Sequence, residues 1–370
     1  MKIALDTRDL AFATTGTRTY LHELLLALRA RQGNDMELIE LTGLSASSSI
    51  NESSLLNKLL QHLRLLLWKQ LVLPLRCRLA DADVLICTDY LLPLLPCGAK
   101  KWVVFHDALF FDKSGNYPRL WLYYFKWVYM PAAHRADAII TPSFFSRDRL
   151  LHHFPAWSAK LKVIYQGPKQ LPAECSLSAD GVRVVQRLQD TPFFLHVGVF
   201  EKRKNLLLLL AAFAAFSRRH NTKLLLIGRS NGKLFSDDAA NIARFIQEHQ
   251  VEDKVILAGY LSDSDLSFFY RRARAYVYPS LYEGFGIPIL EAFVHGLPVA
   301  AATGSALEEI AADAALYFDP YQPSALESCL EQLHTDERLR SELTEKGYRR
   351  EKQFRWSESV NDFLALAASV

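Results

Sequence analysis

The sequence predicts an α/β protein built from two Rossmann-like, doubly wound domains, and three observations predict it. The chain has 370 residues, half of them hydrophobic, whereas single cores stop growing near about 250–300 residues. Short apolar runs alternate with longer helical stretches, which is the rhythm of parallel strands joined by crossover helices. That rhythm occurs twice, and between the two series lies "QGPKQLPAECSLSADG" at 166–181, whose Pro, Gly and Ser content marks a linker.

The first series runs "KIALD", "VLICT", "WVVFH", "AIITPS" and "VIY". The second opens after a short helical "VRVVQRLQ" and runs "FFLHVG", "KLLLIG", "VILAGY", "AYVYPS", "PVAAAT" and "ALYFD". Each is a short apolar run, as strands of a parallel sheet are. Two doubly wound domains facing each other leave an interdomain cleft, and ligands of such sheets sit beyond the carboxyl ends of the strands.

Composition narrows the function. Five cysteines, Cys77, Cys87, Cys97, Cys175 and Cys329, are odd in number and include no C-x-x-C pair, so neither a disulfide framework nor a zinc ribbon is supported and a reducing cytoplasm fits. Met1-Lys2 leads straight into "IALDT" without the apolar stretch and cleavage site of a secretory signal. The longest apolar run, "LLLLLAAFAAF" at 206–216, falls short of the roughly 18–20 residues that span a bilayer.

Residues 1–170 carry 21 Lys and Arg against 14 Asp and Glu, and the remainder carries 22 against 26. This asymmetry is too mild to argue for nucleic acid. Within the basic half, residues 53–80 hold Lys58, Arg64, Lys69, Arg76 and Arg78 among leucines and Trp68, with no acid. That pattern reads either as a basic amphipathic helix for an anionic membrane surface or as a core-facing helix with a solvated basic side. The aromatic "YPRLWLYYFKWVYM" at 117–130 leaves the same two readings open.

"YPSLYEGFGIPILEAFVHGLPVA" at 278–300 carries the chemistry. "AYVYPS" reads as a buried strand, "LYEGFGI" as a tight loop, and Pro288 suits the first turn of a helix that Gly296 closes. Glu283 then lies in the loop and Glu291 about one turn into the helix. Gly284 and Gly286 clear side chains where backbone N–H groups approach a ligand, and the helix start adds a positive dipole end, together a seat for phosphate. A carboxylate would repel bare phosphate, so two glutamates beside that seat imply sugar hydroxyls, which donate to carboxylates. A nucleotide sugar has both parts. The plainer alternatives are a helical first-turn acid for Glu291 and a solvated loop acid for Glu283.

"HVGVFEKRKNLLLLLAAF" at 196–213 puts Lys202, Arg203 and Lys204 where a loop meets a helix start. Cations are unfavourable there, which implies an anion outside the helix, and Arg and Lys suit a diphosphate. In "TGTRTY" at 15–20, Gly16 lets backbone approach a phosphate, and "VVFHDALF" ends a strand with His106 at its carboxyl edge, where it is either a ligand contact or a structural hydrogen-bonder. Asp81 with Asp83, and Asp263 with Asp265, match a metal-binding D-x-D string. The first pair precedes its strand and the second reads as helix capping, so no metal site is assigned. No nucleophile elbow, P-loop or zinc helix is present.

Taken in order, these segments resemble the retaining glycosyltransferases of the GT-B fold, family 4, also called glycosyl transferases group 1. The resemblance rests on E-x7-E in "EGFGIPILE" with "AALYFDP" after it, on "HVGVFEKRKNL", on "VILAGYLSDSDLSFFYRRARAYVYPS", and on "HDALF", "ADAIITPSFFSRDRL", "TGTRTYLHELLLAL" and "FRWSESV". It implies an acceptor-binding domain over 1–170, with a C-terminal helix from about 354–370 crossing back onto it, and a nucleotide-sugar domain over 171–353. It further implies that Glu283 and His106 are catalytic residues at the donor sugar, that Gly16, Arg203, Lys204, Gly284, Phe285 and Gly286 contact the sugar and diphosphate, that Glu291 holds the ribose, and that Gly259 and Tyr260 meet the base.

Two departures stand out: Val199 where many members have arginine, and Thr303 and Glu308 where many have asparagine and proline.

The activity implied is metal-independent transfer of a hexose, with retention, from a nucleotide sugar to an acceptor hydroxyl, without other cofactor. Mannose or a related deoxyhexose from a GDP-sugar is the first choice, for a bacterial lipopolysaccharide, O-antigen or other surface glycan. The implied partners are the donor, a glycan or lipid-linked glycan acceptor and the anionic inner-membrane surface, with no nucleic acid. The implied location is the cytoplasm, peripheral on the cytoplasmic face of the inner membrane. A sugar-nucleotide epimerase on the same fold and a non-catalytic carbohydrate-binding protein are the alternatives.

Overall fold

The computed structural model describes residues 1–13, 16–33, 35–43, 55–113, 119–174, 176–230, 232 and 236–369, without the side chains of 55–59 and 119–121. Thr15, residues 53–54, the Lys58 side chain, residues 117–118 and Cys175, all used above, therefore lie outside what is described. The chain divides into two compact units, Met1–Gln166 with Trp356–Val370, and Gly167–Arg355.

The first unit holds six parallel strands: β1 (Lys2–Asp6), β2 (Glu37–Leu41), β3 (Val84–Cys87), β4 (Lys100–Val104), β5 (Ala138–Thr141) and β6 (Leu161–Val163). Their order is β2-β1-β3-β4-β5-β6. Alternation along β1 sends Ile3 and Leu5 to one face, where the helix Gly16–Arg31 packs Tyr20, Leu21, Leu24 and Leu28. The closing helix Trp356–Ser369 adds Trp356, Val360 and Phe363 to that layer, with Phe363 stacked on Trp102 at 6.2 Å. Ala4 faces the other side, over Trp68, Leu73, Cys77, Phe105 and Trp157.

Strand β2 is absent from the sequence reading because "ELIEL" is an edge strand whose Glu37 and Glu40 face outward, so its apolar run is broken. The strand expected at "VIY" lies two residues earlier, at Leu161–Val163.

Residues 55–79 correct an expectation. A helix Leu55–Leu67, a π-helical turn Trp68–Val72 and a helix Leu73–Leu79 follow one another. Lys69 is buried rather than part of a solvated basic side, and Trp68 is buried beside it. Leucines instead occupy the outer face: Leu60, Leu63, Leu67, Leu71, Leu75 and Leu79 are 41% to 78% exposed. Steps of four residues overshoot an α-helical turn by about 40°. The wider π turn absorbs a residue at Leu67–Leu71 and keeps the stripe on one side.

The second unit has β7 (Phe193–Val197), β8 (Lys223–Ile227), β9 (Val255–Gly259), β10 (Ala275–Tyr278), β11 (Val299–Ala302) and β12 (Ala315–Phe318), in order β12-β11-β10-β7-β8-β9 and all parallel. The apolar helix Leu206–Phe216 buries Leu206, Leu209, Leu210, Phe213 and Phe216 against β7, β8 and the helix Pro323–Thr335. Sequence rightly read Asp265 as a cap. Ser262 and Asp265 form a reciprocal capping box at the helix Asp263–Arg272. The same carboxylate accepts from Ser178 N at 2.9 Å and Ser178 Oγ at 2.7 Å, at the start of the helix Ala179–Leu188. Gly181 is required beside it, since a Cβ there would sit 2.2 Å from Asp265 Oδ1.

One buried carboxylate thus fixes two helix starts. Asp265→Ala is expected to cost the second unit about 2–4 kcal/mol, the sum of a cap and a charged hydrogen bond. Urea unfolding followed by circular dichroism checks it.

Candidate functional site

In the second unit the strand order reverses between β7 and β10, so the connections leaving these two neighbours diverge and open the sheet's carboxyl edge. After β7 the chain makes a short turn at Lys202–Lys204, and Asn205, in the left-handed conformation, starts the long apolar helix. After β10 it runs through Glu283 to Gly286, the N-cap of the helix Ile287–Val294, with Pro288 in its first turn. Gly286 has φ +113°, and a Cβ there would lie 2.8 Å from Leu307 Cδ2, so both conformation and space require glycine. Leu281 N donates to Arg203 O at 2.8 Å and ties the two connections together.

Glu283 is the centre of this edge. Its Oε1 accepts from Lys204 Nζ at 2.6 Å and from Arg203 Nη1 at 2.9 Å. Arg203 Nε donates at 2.7 Å to Glu201, and Lys204 Nζ donates at 3.2 Å to Tyr278 Oη. Burial alone would raise the Glu283 carboxyl, but Lys204 and then Arg203 more than offset it and hold it down to about 2. Burial pushes the Lys204 ammonium down, with Glu283 pulling it partly back. The glutamate is therefore an ionised, acceptor-only group in a nearly dry place. The sequence reading gave Arg203 and Lys204 to a diphosphate; here both grip the first glutamate, Arg203 part-exposed and Lys204 buried.

Glu291 lies one turn into the helix, buried, with Tyr270 Oη donating to its Oε2 at 2.7 Å. Phe285 packs edge-on against Phe354 at 5.8 Å, which buries its ring and leaves its backbone on the loop. At the carboxyl end of β9, Gly259 has φ +71° with open space above it. Tyr260 beside it is exposed, with the Arg229 guanidinium 5.9 Å from its ring.

In the first unit, His106 follows β4. Its Nε2 lies 2.8 Å from the Thr88 carbonyl, which can only accept, so Nε2 carries the proton and Nδ1 is the acceptor. Tyr20 and Tyr90 meet the ring edge-on at 4.9 and 5.6 Å. Burial pushes the imidazole down to about 4, the Thr88 bond partly offsetting it, so His106 is neutral at physiological pH. Gly16 begins its helix, and a Cβ there would meet nothing within 4 Å.

Sequence reasoning brought together Glu283, Arg203 and Lys204 as neighbours of one ligand, and they are neighbours of one another. It missed Tyr270, Tyr278 and Glu201, whose only signal was their place beside the named residues. Among the described residues, Asp6, Cys87 and Asp89 form a cluster able to hold a metal, but the Lys69 ammonium already lies 2.6 Å from Asp6 and 2.5 Å from Asp89. Among the described residues no helix is long and apolar enough to cross a membrane.

Comparison with known proteins fits this geometry. Residues 182–350 match the family described as Glycosyl transferases group 1, and residues 14–168 match Glycosyltransferase Family 4. The chain is 30% identical to O-antigen chain mannosyltransferase B of Escherichia coli, over 99% of this chain and 100% of that protein. It is 25% identical to O-antigen chain mannosyltransferase RfbU of Salmonella typhimurium, over 67% of this chain and 64% of that one. Among solved structures, sucrose-phosphate synthase from Thermosynechococcus elongatus superposes with a TM-score of 0.74 at 19% identity, covering all of both chains. The chain therefore belongs to glycosyltransferase family 4, retaining hexosyltransferases of the GT-B fold that use nucleotide-sugar donors.

Proposed function

We propose that this glycosyltransferase transfers mannose from GDP-mannose, with retention and without a metal ion, to a hydroxyl of an O-antigen or related surface glycan. The observation that carries the reading is the ionised Glu283 held at the strand-order reversal by Lys204 and Arg203. An acceptor-only carboxylate in a dry site binds hydroxyl donors strongly and leaves no unpaired charge behind. The sugar is taken as mannose because mannosyltransferases recur among the relatives.

The roles then divide as follows. Glu283 accepts from hydroxyls of the mannose, and Glu291, steadied by Tyr270, accepts from those of the ribose. Backbone at Gly284, Phe285 and Gly286, with the start of the helix Ile287–Val294, takes the diphosphate. Arg203 and Lys204 balance the charge that grows on it as the sugar leaves. The base lies against Gly259 and Tyr260, and Gly16 offers its amide to the phosphate. His106, neutral, offers Nδ1 to a sugar hydroxyl. The departing phosphate takes the acceptor's proton, so the new bond forms on the face that the leaving group vacates.

The acceptor reading includes a lipid carrier and peripheral attachment on the cytoplasmic face of the membrane. The leucine stripe along 60–79 supports it, since six exposed leucines in a row exceed what an isolated soluble surface carries. Arg64 and Arg78 are exposed beside it. Tyr123 and Trp127 are exposed too, while Phe125 and Met130 from the same aromatic segment are core.

Four outcomes are expected. GDP-mannose raises the thermal midpoint more than UDP-, ADP- or TDP-sugars at matched concentration, and Glu283→Ala lowers mannosyl transfer at least about 100-fold; full activity in that variant would remove the assigned role. The pH dependence has a defined sign. The folded-state pKa of Glu283 is depressed, so its contribution is complete above the unfolded value near 4.5 and is lost as pH falls toward about 2. The stability gap between wild type and Glu283→Gln should be on the order of 3 kcal/mol at pH 6 and should close steadily below pH 4.5, as measured by urea unfolding. Finally, wild type should float with phosphatidylglycerol vesicles at low salt, and the double variant Leu71→Glu/Leu75→Glu should stay below them.

A further inference from the structure

The first unit has its own strand-order reversal, between β1 and β3, and a single buried cation closes it. Lys69 Nζ lies 2.6 Å from Asp6 Oδ2 at the end of β1 and 2.5 Å from Asp89 Oδ1 after β3, and it donates to Leu91 O at 3.1 Å. Its side chain is 1% exposed. Trp68 Nε1, the preceding residue in the π-helical turn, donates to the other Asp6 oxygen at 3.1 Å. Two ammonium hydrogen bonds, to Asp89 and to the Leu91 carbonyl, and one ion pair, to Asp6, therefore join two different connections.

The segment Thr88–Leu91 divides its contacts by alternation. Asp89 and Leu91 are tied to Lys69, whereas Thr88 and Tyr90 are turned to His106, the first through its carbonyl at 2.8 Å and the second through its ring at 5.6 Å. Tyr90 has φ +66°, a left-handed conformation that is strained for a bulky residue and persists only when its neighbours are held. Here they are held on both sides by one lysine.

A buried ion pair of this kind adds little net stability over a well-packed apolar side chain, because desolvation consumes most of the attraction. What it does supply is geometry: an apolar residue at position 69 would fill the space without fixing where Asp89 and Leu91 stand. The π turn has the same sense, since it turns the adjacent residues Trp68 and Lys69 inward together.

We propose that Lys69 is a positioning residue for the transfer reaction: by clamping Asp89 and Leu91 it holds the Thr88 carbonyl and the Tyr90 ring against His106, and so fixes that imidazole in its Nε2–H form with Nδ1 presented for hydrogen bonding. The proposal rests on the reading above that His106 acts at the donor sugar.

The test uses the full chain labelled with 15N-histidine, with the His106 signal assigned by its loss in His106→Gln, and compares Lys69→Met and Asp89→Asn with wild type. In wild type, His106 is expected as the Nε2–H tautomer and neutral down to about pH 4. In both variants the tautomers should mix and the imidazole should titrate closer to the ordinary histidine value. In steady-state transfer, kcat should fall at least about tenfold while the donor KM stays within about twofold, and Lys69→Arg should recover part of the loss.

Folded variants with the wild-type His106 tautomer and unchanged kcat would overturn the proposal. If Lys69→Met does not fold, the near-isosteric Asp89→Asn carries the test alone. Should His106→Gln itself transfer mannose at the wild-type rate, the assignment of His106 to the donor fails, and the tautomer signal still decides whether Lys69 holds the ring.

Discussion

The ion pair between Lys204 and Glu283 is the contact on which the site depends, because it joins the two connections that part at the strand-order reversal. Without it, the turn after β7 and the loop after β10 would each carry a charge into a nearly dry edge with nothing opposite. Lys204 alone would be driven toward its neutral form by burial, and Glu283 toward its protonated form. Together they stay charged, and Arg203, with Glu201 on its other side, completes a set of two cations and two carboxylates. The carboxylate thus reaches a ligand already ionised and already oriented. Tyr278 and Tyr270 extend the same logic, one hydroxyl accepting from Lys204 and the other donating to Glu291.

How much of this was legible follows from what each residue does locally. The strands of both sheets were readable because burial on two faces demands uninterrupted apolar runs, and only β2, an edge strand broken by glutamates, escaped. The helix after Gly286 was readable from Pro288 and Gly296. The cation cluster at 202–204 was read from an electrostatic objection, that positive charge does not belong at a helix start without an anion. That objection holds, but one anion is internal: the chain supplies Glu283 from 79 residues away, a pairing that no local pattern contains. Tyr270 and Tyr278 were hidden for a similar reason, since a tyrosine in a buried strand or helix reads as core until its hydroxyl is seen to have a partner.

Within residues 55–79 the burial of Lys69 was hidden for a different reason. A leucine-rich segment with scattered cations has a helical period, and the period says which residues share a face but not which face is inside. Lys69 lies two residues from both exposed Leu67 and Leu71, opposite that stripe, and so is turned into the core. Nothing in the composition announces which face that is. The departures at Val199, Thr303 and Glu308 are milder. Val199 leaves Arg203 as the part-exposed cation after β7, and Glu308, in place of a proline, accepts from Gly304 N at 2.6 Å and so fixes the turn before the helix Ala306–Ala311.

The two units solve the same geometric problem with the same chemistry. At each reversal of strand order the neighbouring connections leave in opposite directions, and the backbone groups between them have no ladder partner. In each unit a buried lysine spans the gap to carboxylates, Lys204 to Glu283 in one and Lys69 to Asp6 and Asp89 in the other. An apolar plug would be at least as stable by the balance of desolvation against attraction. It would also seal the one edge of a doubly wound sheet where a polar ligand can enter. An ion pair keeps that edge polar and holds its loops in one register, and it leaves carboxylate oxygens with capacity for further donors. The cost is a site whose parts cannot be changed singly, since removing either partner strands the other as an unpaired buried charge.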